Sequence, residues 1–152
     1  MKKLNLPEAE LRIRQNGNAT EVFDPLRKKF VVLTEEEWVR QNIIQYLHIH
    51  KDVPMHMMAS ERGLVVNGMP NRFDLVVFGL EGKPVMIVEC KAPHIAVKED
   101  VFYQAARYNL ALQVKYLLIT NGLEHHCVSI DYSTGKISFL EDIVSFMEMK
   151  GS

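Results

Sequence analysis

A single domain of mixed α/β structure is what the sequence predicts, and three observations predict it. The chain has 152 residues, of which 47% are apolar, enough for one substantial core. Two stretches, 34–50 and 98–113, place apolar residues at helical spacing. Around them run short segments rich in Val, Ile, Leu and Phe, punctuated by Asn-Gly, Asp-Pro and Gly-Lys-Pro breaks, which read as strands.

Charge and cysteine content narrow the possibilities. Net charge is −1, so no global basic field attracts nucleic acid, and any such contact must come from a local patch. No apolar run is long enough to span a membrane, and residues 1–8 lack the apolar core of a signal peptide. Cys90 and Cys127 show neither zinc-type nor redox-type spacing. Both sit in apolar strand-like runs, so reduced core thiols in a cytoplasmic protein are expected.

The elements follow in order. Residues 11–33 read as short strands around turns at Asn16-Gly17-Asn18 and Asp24-Pro25. Thr34-Glu-Glu-Glu37 fits a helix capping box, with acidic residues at the positive end of the helix dipole. That helix should run to about His50 and bury Val39, Ile43, Tyr46 and Leu47. Glu36 lies on the edge of the same stripe and is expected to face inward. Glu37 is expected on the far side, serving the helix terminus. Met55–Met58 reads as irregular, 61–66 as a strand, and 67–71 as the turn that ends it. Lys98–Gln113 is the second helix, in which Gln104 and Tyr108 share a face one turn apart. Arg107, on the same helix, is a candidate phosphate contact. Strands are expected at 116–120, 125–132 and 136–140, and a short helix at 141–148.

The chemistry concentrates in residues 72–91. Two apolar strands flank Glu81-Gly82-Lys83-Pro84, with Asp74 near the start of the first and Glu89 and Lys91 at the end of the second. Side chains alternate along a strand, so Glu89 and Lys91 point one way and Cys90 the other. In an antiparallel pair Asp74 can sit beside Glu89. Neighbouring carboxylates against an apolar sheet repel and are poorly solvated. A divalent cation resolves that conflict, and Mg²⁺ takes one or two carboxylates with retained waters. Lys91 could then orient a water or neutralise a phosphate. The bland alternative is a surface ion pair, but a triplet closing an apolar strand, with Asp one strand earlier, favours a functional site.

Other chemistry finds no support. Thr134-Gly135-Lys136 lacks the upstream glycine of a phosphate-binding loop, and no G-x-S-x-G occurs. His125-His126 and His48-x-His50 lack a third and fourth ligand.

Asp74 followed by Glu89-Cys90-Lys91 resembles the PD-(D/E)xK nuclease superfamily. The longer strings resemble the N-terminal nuclease domain of type I restriction enzyme R subunits. They are Glu36-x-x-Val39-Arg40, Arg72-Phe73-Asp74, Ile87-Val88-Glu89-Cys90-Lys91-Ala92-Pro93, Gln104-x-x-x-Tyr108 and Thr120-Asn121-Gly122. The resemblance implies a restriction-endonuclease-like central mixed sheet flanked by helices. It implies a core over 34–140, with an N-terminal strand extension at 1–33 and a C-terminal helix and tail at 141–152. It implies that Asp74, Glu89 and the Cys90 backbone carbonyl bind Mg²⁺, with Mn²⁺ as substitute, and that Lys91 positions the attacking water. Glu36 would support the metal site, and Gln104 and Tyr108 would orient it or contact DNA. Two departures stand out. Phe73 occupies the place where the superfamily often has Pro, and the R subunit's motor has no counterpart in this chain.

The expectation is therefore a metal-dependent DNA endonuclease, with DNA as partner and a homodimer or restriction-system subunits as further candidates. Two alternatives differ in class: a nucleic-acid-binding or regulatory module that keeps the fold without robust turnover, and an interaction domain using the sheet edge or Met55–Met58.

Overall fold

The structure, a computed structural model, describes residues 1–66 and 69–152; the side chains of 61–66, 69–72, 104 and 107–111 lie outside the described set. Strands β1 (Ile13–Asn16), β2 (Ala19–Asp24) and β3 (Lys29–Val32) form a three-stranded antiparallel sheet. Gly17 makes the β1–β2 turn at φ 62°. Asp24 shapes the β2–β3 turn, accepting from the Leu26 N–H at 2.8 Å and from the Arg27 N–H at 3.2 Å.

Helix α1 (Glu35–His50) begins where the capping box places it. The Thr34 hydroxyl accepts from the Glu37 N–H at 3.0 Å. Val39, Ile43 and Leu47 are buried as expected, Tyr46 only partly. Glu37, Arg40, Gln41, Asn42 and Ile44 are buried as well. One apolar stripe does not account for that arc. The helix is covered from the N-terminal side too, by Leu4 and Leu26 and by a bond from the Trp38 indole to the Lys2 carbonyl.

The main sheet has six strands in sequential order: β4 (Met58–Val66), β5 (Met69–Phe78), β6 (Pro84–Cys90), β7 (Tyr116–Thr120), β8 (His125–Asp131) and β9 (Lys136–Phe139). All neighbours are antiparallel except β6 and β7. That parallel pair needs a crossover, which helix α2 (Glu99–Leu112) supplies. A mixed sheet flanked by helices therefore stands as expected. Met86, Val88 and Cys90 pack in the cluster that holds α1 residues, whereas Ile87 packs in the cluster of Phe102 and Ala106 from α2. The two faces of β6 are thus covered by different helices.

Four boundaries differ from those the sequence predicts. Met58 already belongs to β4, and Met69–Asn71 belong to β5 rather than to a turn; Asn67 and Gly68 lie outside the described residues. The β5–β6 turn closes through a 3₁₀ turn over Leu80–Gly82, with Glu81 and Gly82 at φ 66° and 70°. The last helix, α3, spans only Phe146–Met149. Residues 141–145 stay non-helical because Ile143 and Val144 are both buried, and Asp142 is drawn to Lys51 at 3.0 Å. Tertiary contacts there override local helix preference. Both cysteines are free and buried. Among the described residues, no helix is long and apolar enough to cross a membrane.

Candidate metal and catalytic site

The β5–β6 register brings the carboxylates together. Leu75 pairs with Val88, so Asp74, one residue before, meets Glu89, one residue after. Asp74 is held from two directions. Its Oδ2 accepts from the Cys90 N–H at 2.8 Å, and its Oδ1 accepts from Arg40 Nη2 at 3.0 Å. The N–H and C=O of one strand residue leave the same edge, so the Cys90 carbonyl also leaves toward β5, where Asp74 stands.

Glu89 carries the electrostatic conflict. Burial first, and then the Asp74 carboxylate, push its carboxyl up to about 8. A hydrogen bond between the two carboxyl groups and the charge on Glu36 act in the same direction; Lys91 acts against it. The protonated form of Glu89 can donate to Asp74, which is why that contact favours the neutral acid. Asp74 and Lys91 lie close enough to act on the charge of Glu89.

The loop after Lys91 is fastened at several points. The Lys91 N–H donates to the Thr120 carbonyl at 2.9 Å, continuing the β6–β7 pairing by one residue. Asn121, almost fully buried, donates from Nδ2 to the Ile95 carbonyl at 2.9 Å. Its Oδ1 accepts from the Leu123 and Glu124 N–H groups at 2.9 and 2.8 Å. On the other side His94 Nδ1 meets Glu35 at 2.9 Å.

The first turns of α1 supply the remaining charge, and here the structure corrects the sequence reading. Glu37 is the buried glutamate, with 6% of its side chain exposed against 45% for Glu36. Glu37 accepts from Arg40 Nη1 at 2.6 Å, Arg27 Nη2 at 2.8 Å and Gln41 Nε2 at 3.0 Å. The reason is non-local: the β2–β3 turn delivers Arg27 to the face of α1 that apolar periodicity leaves open. Glu36 is still tied to the site, because Arg40 Nη2 donates to it at 3.0 Å as well as to Asp74. Gln104, Arg107 and Tyr108 fall within α2, but their side chains are outside the described residues.

Arg40 and Asn121 are the residues to which sequence reasoning assigned no role. Arg40 had a local signal, standing four residues after Glu36 and three after Glu37, the spacing of helical ion pairs. Burial opposes its charge, but Glu37 and Asp74 outweigh burial and raise its pKa.

The donor set suits a hard cation. Two acidic side chains in contact at the end of an apolar hairpin offer only oxygen atoms, and a carbonyl leaves along the same edge. Among the described residues no three His, Cys, Asp or Glu side chains form a metal cage. Mg²⁺ needs none, since it takes one or two carboxylates and keeps several waters. A cavity of about 330 Å³ lies elsewhere, lined by Leu6, Tyr46, His50, His125 and Cys127 among others, and includes none of these residues.

Comparison with known proteins agrees with the fold. The family model for the type I restriction enzyme R protein N terminus matches residues 35–143. No curated protein matches the chain. Among solved structures, it resembles a fragment assigned as an HsdR subunit of a type I restriction enzyme from Vibrio vulnificus YJ016, at 22% identity and a TM-score of 0.55. That match covers 77% of this chain and 24% of the other, so this chain spans about a quarter of the protein it resembles.

Proposed function

This chain belongs to the family of type I restriction enzyme R protein N termini, and on that premise we propose that it is a divalent-metal-dependent deoxyribonuclease. The observation that carries the proposal is the Asp74–Glu89 contact. Two acidic groups are pressed together at the end of an apolar hairpin, with a lysine beside them.

In this proposal Asp74, Glu89 and the Cys90 carbonyl hold Mg²⁺ or Mn²⁺. The bound cation supplies Lewis-acid chemistry, raising the acidity of water and neutralising charge on a phosphodiester. Lys91 orients the attacking water and offsets negative charge that builds on the phosphate. Arg40 and the Cys90 N–H keep the Asp74 carboxylate fixed. Glu36 supports the site through Arg40. Gln104 and Tyr108 orient the site or contact DNA, and the partner is DNA, with a second copy or other restriction-system subunits completing a double-strand cut.

Incubation of supercoiled plasmid with the purified chain and Mn²⁺ or Mg²⁺ tests this. Nicking that stops on chelation supports the proposal. DNA binding without any cleavage, at any metal concentration, would leave a binding module instead.

A further inference from the structure

Arg40 stands at the junction of two carboxylate groups. It is almost fully buried, and its Nη1 serves Glu37 while its Nη2 serves both Glu36 and Asp74. Glu37 has a second cation, Arg27, itself anchored by Asp24. The two arginines therefore stand differently toward the site. Both neutralise Glu37, and Arg40 alone of the two is bonded to Asp74.

We propose that Arg40 is the resident counter-charge of the metal site: it shares Asp74 with the divalent cation, holding the metal-free protein together and setting how weakly the cation binds. This rests on the proposed function above. A carboxylate that already donates its field to a buried guanidinium attracts a second cation less strongly, and the two cations repel each other. Without a metal, the same guanidinium is what makes the crowded carboxylates tolerable. Arg40 is thus a positioning residue whose presence lowers metal affinity, and a residue with a merely structural role would not change that affinity.

The test is a set of thermal melts of the full chain across a MnCl₂ titration, for wild type, Arg40→Gln and Arg27→Gln. Arg40→Gln should be less stable without metal. It should gain more from Mn²⁺ than wild type, with a midpoint roughly ten-fold lower, because a buried unit charge several ångströms away is worth at least that factor. Arg27→Gln should also lose stability but keep the wild-type Mn²⁺ midpoint. A midpoint for Arg40→Gln equal to or above that of wild type overturns the proposal. If Arg40→Gln does not fold without metal, Arg40→Met replaces it. Methionine fills the buried space without a charge, so its midpoint should also fall; an unchanged midpoint overturns the proposal. A wild-type protein that neither nicks DNA nor gains stability from Mn²⁺ removes the nuclease reading and this one together. Metal-dependent nicking by wild type, with an unshifted Arg40→Gln midpoint, removes only the role of Arg40.

Discussion

Glu37 and Glu89 are two poorly solvated glutamates joined by one chain of polar contacts, and they have opposite fates. Glu37 is met by Arg27, Arg40 and Gln41. Its charge is matched by donors that the helix and the N-terminal sheet bring to it. Glu89 is pressed against another carboxylate, and burial together with that neighbour pushes it up to about 8. Burial alone does not mark a site. What separates the two is their neighbours: Glu37 meets two guanidinium groups and an amide donor, whereas Glu89 meets Asp74, with Lys91 acting against that repulsion. Arg40 lies between them and belongs partly to each.

The largest effect is expected at Lys91. If the Glu89 end is catalytic, Lys91→Ala should lower nicking by about a hundred-fold or more, the scale on which one positioned acid–base or electrostatic group acts. Mn²⁺ should still stabilise the variant. Wild-type nicking rates from the purified variant would take Lys91 out of the mechanism.

The Glu37 end should break differently. Glu37→Gln leaves Arg27 and Arg40 with a lost partner in a buried setting, where breaking one side of an ion pair costs about 3–5 kcal/mol. Urea unfolding should show that loss, with the folded fraction still able to bind Mn²⁺. A variant as stable as wild type would mean that the donors around Glu37 contribute nothing.

The smallest effect is a slope with pH. Burial and the Asp74 carboxylate lift the folded Glu89 carboxyl from its ordinary 4.5 to about 8. Between those values the folded state keeps a proton that the unfolded state has lost, so metal-free stability falls as pH rises through the window. One group gives at most about 1.4 kcal/mol per pH unit. Melts in chelator should show that decline in wild type and a shallower one in Glu89→Gln. Parallel curves would mean that burial, Asp74 and Glu36 do not raise the Glu89 carboxyl.

Much of this was legible in the sequence, for reasons that are local. Thr34 and the acidic run after it mark the start of α1, and β7 occupies the apolar run at Tyr116–Thr120. Alternation along two strands around one turn places Asp74 beside Glu89, and the register agrees. What stayed hidden depends on contacts between distant segments. Helical periodicity ranks Glu36 as the inward residue, because nothing in α1 announces Arg27 arriving from the β2–β3 turn. The segment at 141–145 looks helical until Asp142 meets Lys51 and the Phe146 N–H bonds to the Lys51 carbonyl. Asp74 and Glu89 look equally strained in sequence; Arg40 and the Cys90 N–H relieve only Asp74.

The Asp74–Glu89 contact is proposed as a cation site whose conflict a metal resolves. Thermal melts of wild type and Glu89→Gln, with and without saturating Mn²⁺, test it most directly. Glutamine mimics the protonated group, so the metal-free variant should be at least as stable as wild type. At a metal concentration about 100 times the dissociation constant, wild type should gain roughly 2.7 kcal/mol, and the variant should lose most of that gain. A Glu89→Gln protein that is less stable without metal, and that gains as much from Mn²⁺ as wild type, would make Glu89 a structural hydrogen-bonding group and contradict the account.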